Sequence, residues 1–579
     1  MAIFLVVAFA IYWPALNGPR VFDDASVVGD DTATVTMSQL MNLRGWLHPE
    51  TRPLARFTFD LETMFFGTGT WIRRVGNILI HLLATAALFE LVRNAFAVFF
   101  GATRTSLSLT PVASATAIAG IWMVHPLESA AVAYIAQRSE ALMGLFFFLY
   151  LNCLVLFIST RKRRWKFLAV LCFVFGLWSK TVMVSAPAVG LLMDRAFFSD
   201  SIVASLRRQL PILLVPMAGC FASFWLLLPG IMQGAANVGF GGFAPPMHLH
   251  LAGQAKVFWL YLMQAIWPQQ LSVDHCIRFP IDLSENFVWI VLTSTVVVAS
   301  IVQMIRGRWI APFFVVAPVC VLAVTSSFIP TADLWVDHRV YVPMASLSTG
   351  FVILVQRLVR RLSMTVSAGR NSIAIFGLIA AMLAFRTWFR AHEYSTAVNM
   401  FTQVVFENPD NDRGFKCLID ATRDENRREV LMPLLLKAEH IAKERGIIPA
   451  VVLGRIAEQY AENGDATRAI KLLSQAIQLD ENHFFEGYRE HRRDEERSGM
   501  EVNMGLAYAS LGQLDESLRH LNLAFEFSDG SAEARAIAGS FSVQAGDINS
   551  AENHFQRAIE LRPGWKEVEA DLERIRQLR

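Results

Sequence analysis

The sequence predicts an all-α protein: a polytopic membrane helix bundle of about eleven crossings, followed by a soluble α-solenoid of helical repeats. Three observations carry this. Of 579 residues, 54% are apolar and only 18% charged, with a mean hydropathy of +0.39, a balance that belongs to integral membrane proteins. Long uncharged runs are confined to residues 1 to about 390, and the remainder is charge-rich with helical periodicity. Within that remainder, glycines recur at a repeat spacing, 34 residues from Gly512 to Gly546.

The net charge of +2 is near neutral and argues against nucleic acid as a partner. Of six cysteines, Cys153, Cys172, Cys220 and Cys320 fall in apolar runs, while Cys276 and Cys417 lie outside them. With no CxxC or Cys/His cluster, neither a zinc site nor a disulfide framework is indicated. The first residues lack a basic region and an A-x-A cleavage site, so Met1 to Trp13 reads as a retained, short membrane helix.

Membrane helices are expected near 1–16, 72–92, 111–124, 141–159, 166–180, 182–194, 211–228, 287–304, 310–328, 341–358 and 371–388. Arg161-Lys162-Arg163-Arg164 is the strongest cytoplasmic marker, and Arg207-Arg208, Arg306–Arg308 and Arg357–Arg361 share its side. This holds with the N-terminus inside and residues 254–268 not crossing. Eleven crossings then place the C-terminus outside.

On that map the outer face collects the unusual residues. Val21-Phe22-Asp23-Asp24 follows the first apolar segment, and two adjacent carboxylates there stand where bilayer gives way to water. Ionisable groups at such a boundary mark substrate or ion pathways, and a half-dry carboxylate can serve as a general base. A carboxylate pair is also a potential divalent-cation ligand. The plainer alternative is a solvated turn or helix N-cap. The same outer loop, about 17–71, carries Arg52, Arg56 and an amphipathic stretch from Pro53 to Phe66 with Leu54, Phe57, Leu61 and Phe65 on one face, which reads as an interfacial helix. Further on the outer side stand His125-Pro126-Leu127-Glu128, then Gln137-Arg138-Ser139-Glu140, then Lys180, and last Asp333 and Asp337-His338-Arg339 with Tyr341. Basic groups converging with carboxylates at one face suit a phosphate-bearing substrate. Anchors at helix ends are the alternative for any one of them.

Several of these strings resemble the transmembrane and TPR-repeat (TMTC-like) O-mannosyltransferases and their bacterial relatives. They are Tyr12-Trp13-Pro14-Ala15-Leu16-Asn17-Gly18 with Val21–Asp24, Arg52-Pro53-Leu54, Asn77-Ile78-Leu79-Ile80-His81-Leu82-Leu83, and His125–Glu128 with Ala131–Ile135 and Gln137–Glu140. Trp267-Pro268 with Leu271–His275, and Asp337–Pro343, continue the order. The resemblance implies a GT-C-like fold for residues 1–390. It implies transfer of a sugar from a polyprenyl-phosphate donor, with inversion, to a hydroxyl on the non-cytoplasmic face. It makes Asp23 or Asp24 the expected base and requires no cofactor. Donor phosphate and sugar are then assigned to Arg52, Arg56, His125, Glu128, Arg138, Glu140, Lys180, His338, Arg339 and Tyr341. Ser179-Lys180-Thr181 stands where relatives carry Ser-Lys-Glu, so the chain lacks a carboxylate at that position.

The C-terminal part reads without any family. Gly464-Asp465, Gly512-Gln513 and Gly546-Asp547 each close a first helix before a second. The small residues fall where tetratricopeptide helices touch: Ala457, Ala469, Ala476; Gly505, Ser517, Ala524; Gly539, Ala551, Ala558, with Pro563 at the exit. Repeats are expected at 450–483, 498–531 and 532–565 within a domain of 449–579, and a degenerate helical pair fills 391–448. The charged insertion from His483 to Arg497 reads as a helix extension. Stacked pairs make a concave surface suited to an acceptor protein or peptide, and a bare scaffold is equally compatible with them.

Walker A, Rossmann, HExxH and G-x-S-x-G patterns are absent from the sequence, so neither ATP-driven transport nor serine hydrolysis has support. His248 and His250 lack a third ligand, and Gly239–Gly242 is loop chemistry. The reading is a multi-pass protein of the bacterial inner membrane, with a cytoplasmic N-terminus and a periplasmic TPR domain. Its partners are a polyprenyl-phosphate-linked sugar, an acceptor protein and membrane lipid. Two rivals remain: a non-enzymatic scaffold for pilus or envelope assembly, and a ligase that moves a whole lipid-linked glycan.

Overall fold

A computed structural model describes residues 2–24, 52–102, 107–233, 246–275, 282–326, 333–362, 368–447, 450–482, 490–529 and 531–577. All regular structure among them is helical, and the chain divides into two compact units, Met1–Met400 and Phe401–Arg579. Cys276, the glycines at 239–242, and residues 25–51 of the first outer loop lie outside the described residues.

In the first unit the helices are α1 (Ala2–Tyr12), α2 (Pro53–Phe66), α3 (Thr70–Ala102), α4 (Pro111–Met123), α5 (Arg138–Thr160), α6 (Arg164–Ser179), α7 (Ala186–Phe197), α8 (Ile202–Gln233), α9 (Met247–Ile266), α10 (Phe287–Ile305), α11 (Ile310–Leu322), α12 (Tyr341–Leu362) and α13 (Ala368–Glu393). Five segments are long and apolar enough to cross a membrane: Thr70–Phe99, Ile135–Thr160, Ser284–Ile305, Asp337–Leu362 and Ala368–Glu393. Three shorter apolar helices, Ala2–Ala15, Pro111–Met123 and Ile310–Leu322, accompany them. The expected count of about eleven therefore stands against five full-length spans among the described residues. The run at 182–194 shows one reason for the difference. It breaks into a 3-10 turn, Thr181–Ser185, and the 12-residue α7 with Pro187 in its first turn. At about 1.5 Å per residue α7 covers roughly 18 Å, short of a hydrocarbon core about 30 Å thick.

The bundle is centred on α5, which packs against α3 and α6. Its buried face holds Phe147, Phe148, Leu151, Leu154 and Val155. Trp122 is fully buried, donates from Nε1 to the Tyr341 carbonyl at 3.0 Å, and meets the Tyr341 ring at 4.9 Å between centroids. Through it α4 locks onto the start of α12.

The amphipathic stretch forms α2. Its exposed end carries Leu61, Met64, Phe65 and Phe66, and Trp71 stands just beyond it. The inner face is held by charge as well as packing. Glu62 accepts from Arg73 of α3 at 3.1 Å and from Arg138 of α5 at 2.9 Å, and the Arg138 guanidinium lies 3.9 Å from the centroid of the Phe59 ring.

The second unit is built of paired helices. They are α15 (Asp412–Asp424) with α16 (Leu431–Glu444), α17 (Ala450–Glu462) with α18 (Ala466–Asn482), α19 (Glu490–Ser510) with α20 (Leu514–Phe527), and α21 (Ala532–Gln544) with α22 (Ile548–Leu561); α23 (Lys566–Gln577) follows, and α14 (Ala397–Glu407) precedes them. Gly464, Gly512 and Gly546 sit between paired helices at φ +84°, +75° and +80°, a left-handed conformation that lets the chain reverse at little steric cost. Where paired helices meet, Ala457, Ala469, Ala476, Ser517, Ala524, Ala551 and Ala558 are fully buried. Small side chains there let the backbones approach closely. The charged segment Glu490–Arg497 opens α19 as a helical extension, anchored where Glu501 accepts from Arg497 at 2.9 Å and from His520 at 2.7 Å.

Candidate functional site

Three of the residues singled out in the first outer loop, Asp23, Asp24 and Arg52, meet a single stretch, Tyr134 to Glu140. This stretch follows the single helical turn Ser129–Val132 and runs through the 3-10 turn Ile135–Gln137 into α5. Arg74 of α3 fixes it against the N-terminal segment. Its guanidinium donates to the carbonyls of Ala133 at 2.8 Å, Gly18 at 2.6 Å and Pro19 at 2.6 Å. Asn77, one turn on, donates to the Val132 carbonyl at 3.1 Å.

Onto this stretch folds the loop that carries the two aspartates, and they part company there. Asp24 is buried, and each of its oxygens accepts from a backbone N–H, Val21 at 2.8 Å and Ala136 at 2.7 Å. Burial outweighs those bonds and the nearby Arg74 charge, pushing the Asp24 carboxyl up to about 6. Asp23 is exposed, and its own backbone N–H is held by the Tyr134 hydroxyl at 3.1 Å. Among the described residues, no group of three His, Cys, Asp or Glu is placed to hold a metal.

The basic residues divide in the same way. Arg52 donates to Ser139 Oγ at 3.4 Å, and Lys180 pairs with Glu140 and reaches Gln137 Oε1 at 3.5 Å. The charges of Arg52 and Arg339 act on Lys180, and those of Lys180, Arg339 and Arg52 act on His338. Arg52 and Lys180 thus stand beside residues 137–140, with His338 and Arg339 within electrostatic reach of them. Arg339 is steadied by the carbonyls of Leu334 at 3.2 Å and Asp333 at 2.9 Å. Arg56 is exposed, and its charge acts on Asp60, one turn along α2; the structure does not bring it to this group.

Other residues expected to contact substrate are sealed. The Arg138 side chain is fully buried and spent on Asn77, Thr58, Glu62 and the Arg73 carbonyl. His125 caps its own turn, with Nδ1 accepting from the Leu127 N–H, and burial pulls its imidazole down to about 4. Tyr341 is buried with its hydroxyl on His81 Nδ1 at 2.8 Å. Glu128 is 0% exposed. These four are enclosed within the bundle.

Two of the four positive-φ non-glycine residues described flank this region, Phe22 at +37° and Arg52 at +48°. Strain of that kind costs on the order of 1–3 kcal/mol and persists where surroundings over-determine it. Sequence reasoning missed the residues that place the site. Arg74 and Glu62 lie in an apolar span and an amphipathic stretch, where a charge gives no hint of a partner distant in sequence. The string Leu271–His275 gives no sign of its pairing: His275 Nε2 meets Asp337 Oδ1 at 2.7 Å, stacks on Trp335 with centroids 3.5 Å apart, and so fixes the turn that carries His338 and Arg339.

No family model matches the chain. Over 205 residues it is 26% identical to a protein O-mannosyl-transferase of Caenorhabditis elegans, covering 34% of this chain and 28% of the relative. Over 140 residues it is 30% identical to protein O-mannosyl-transferase tmtc2 of Xenopus laevis, covering 24% of this chain and 15% of that protein. The chain thus spans less than a third of the curated relatives it matches. Among solved structures it is similar to the TPR protein TTC0263 of Thermus thermophilus (18% identity, 34% of this chain, 93% of that one, TM-score 0.22) and to yeast Tom70 (11%, 76%, 93%, 0.26). Scores this low leave the repeat character resting on the helix pairs and their glycines.

Proposed function

We propose that the chain is a membrane glycosyltransferase that moves a sugar from a polyprenyl-phosphate donor to a Ser or Thr hydroxyl of a protein. The observation that carries this reading is that the Asp23 backbone, Arg52 and Lys180 all contact residues 134–140, with the charge of Arg339 acting on Lys180. The likeness to O-mannosyl-transferases supports the same class.

Each residue has a distinct task. Asp23, exposed at the mouth, takes the proton of the acceptor hydroxyl as that oxygen attacks C1 of the sugar. Attack from the side opposite the phosphate inverts C1. The bonding pair of the C1–O bond leaves on the phosphate, whose growing charge is met by the cations Arg52, Lys180 and Arg339; burial and those same charges keep the His338 imidazole neutral, so it contributes a ring N–H. Asp24 positions Asp23 by clamping the Val21 and Ala136 amides. The interfacial helix α2 carries Arg52 at its N-terminus and ties the site to the membrane surface. In a bacterial cell this site faces the periplasm, and the repeat unit recruits the acceptor.

Intact-protein mass spectrometry tests this on periplasmic and surface proteins from cells carrying the gene, its deletion, or Asp23→Asn. A hexose-sized mass lost in both altered strains supports the transferase. A larger lost increment supports transfer of a whole glycan. Unchanged glycoforms, with an envelope structure lost only in the deletion, would favour the scaffold.

A further inference from the structure

In the repeat unit, the first helices of successive pairs, α15, α17, α19 and α21, line one polar groove of about 470 Å³. That size falls in the range of about 300–1,000 Å³ usual for ligand clefts. Its four charged side chains, Asp412, Lys416, Arg455 and Glu458, are two of each sign and answer one another. Asp412 accepts from Lys416 at 2.7 Å and from Arg455 Nε at 3.1 Å, and Glu458 accepts from Arg455 Nη1 at 2.8 Å. A ligand entering the groove therefore meets charges that are already matched.

Three residues of α19 on the groove are uncommitted. Ser498 is 4% exposed, yet its hydroxyl makes no hydrogen bond among the described residues. Asn503 is half-buried, and its amide is likewise unengaged among the described residues. Gly499 lies one turn before Asn503 on the same helix face and is exposed; a Cβ there would meet nothing within 4 Å. Helix propensity favours alanine at such a position, and packing does not call for glycine. What Gly499 supplies is bare helix backbone facing the groove.

We infer that this groove binds an extended, uncharged segment of protein chain, small in its side chains and rich in Ser and Thr, and that it reads the segment's backbone. An extended chain offers N–H and C=O groups that a helix has already paired. The Asn503 amide can donate to one and accept from the other, and the Ser498 hydroxyl supplies a further partner. The bare backbone at Gly499 lets the chain come close. Acidic or basic side chains would give up water here without finding a free counter-charge. That the bound segment carries the hydroxyls to be modified rests on the proposed transfer; the binding itself does not.

The test is fluorescence anisotropy of labelled peptides with the full-length protein in phosphatidylcholine nanodiscs, with empty nanodiscs as the blank. A Gly/Ser/Thr peptide is compared with versions carrying Glu or Lys at alternate positions. The uncharged peptide should bind, and both charged versions should bind more weakly. Asn503→Ala should weaken the uncharged peptide by about tenfold, the worth of roughly one hydrogen bond. Gly499→Ala should weaken it at least as much, because the added methyl stands where the chain lies, while thermal unfolding comes no earlier than the parent's. Lack of binding by the parent, a charged version that binds as tightly, or a Gly499→Ala protein that binds like the parent would overturn the inference. A peptide that binds in the expected order but never receives a sugar would support the groove and count against the proposed function instead.

Discussion

Glu62→Gln isolates what holds the amphipathic helix α2 to the bundle. The substitution keeps the side chain's shape and removes one charge. The Arg73 and Arg138 side chains are fully buried, and Glu62, 16% exposed, is the carboxylate they share. Arg138 would keep Asn77 at 2.7 Å, Thr58 at 3.1 Å and the Arg73 carbonyl at 2.7 Å. Arg73 would keep the Phe59 carbonyl and the Thr63 hydroxyl. Both guanidiniums therefore stay hydrogen-bonded, but two adjacent buried positive charges lose their counter-charge. Removing one partner of a buried pair costs about 3–5 kcal/mol, and the retained bonds place this case near the lower figure. At about 1.4 kcal/mol per tenfold, α2 should open on the order of a hundred times more often. Amide hydrogen exchange over Pro53–Phe66, read against α5, measures this directly. Exchange in α2 changed by less than about threefold would refute the reasoning, because packing around Phe59 would then suffice without charge.

Three further outcomes follow from named contacts. The Asp24 carboxyl stands at about 6 against an ordinary 3.8, so the folded state binds its proton first and ionised Asp24 subtracts stability above pH 6. Stability should then rise as pH falls from about 7 to 4, by up to about 3 kcal/mol at 1.36 kcal/mol per pH unit, and Asp24→Asn should flatten that slope in thermal unfolding. In the repeat unit, a Cβ on Gly539 would stand 2.8 Å from the ring of Phe555, so Gly539→Ala should cost about 1–3 kcal/mol despite its better helix propensity. Gly499 lies within α19 with nothing inside 4 Å of such a Cβ, and Gly499→Ala should stabilise by up to about 1 kcal/mol; denaturant unfolding of the pair separates packing from propensity.

What the sequence discloses depends on how local the cause is. Gly464, Gly512 and Gly546 announce the helix reversals because a positive φ is a property of one residue. The amphipathic helix is legible at Pro53–Phe66 because its apolar face repeats every three to four positions. The sequence argument that groups Arg52, Lys180 and Arg339 also names Arg138 and Tyr341 as substrate-binding, yet the structure buries both side chains. Their partners, Glu62 and His81, lie 76 and 260 residues away, and no periodicity carries that information. Likewise, the adjacent Asp23 and Asp24 look equivalent in sequence. Only the amides of Val21 and Ala136 turn one of them inward.

The central claim is that Asp23 acts as the base while Asp24 holds it in place. Its most direct measurement is transfer from a polyprenyl-phosphate-linked sugar to a Ser/Thr peptide by the purified full-length protein in nanodiscs. Parent, Asp23→Asn and Asp24→Asn are compared alongside thermal unfolding. The account predicts that Asp23→Asn unfolds like the parent and loses transfer by about 10² to 10⁴, the usual worth of a general base. It predicts for Asp24→Asn a changed unfolding profile together with residual transfer. An Asp23→Asn protein that transfers within a few-fold of the parent would contradict it.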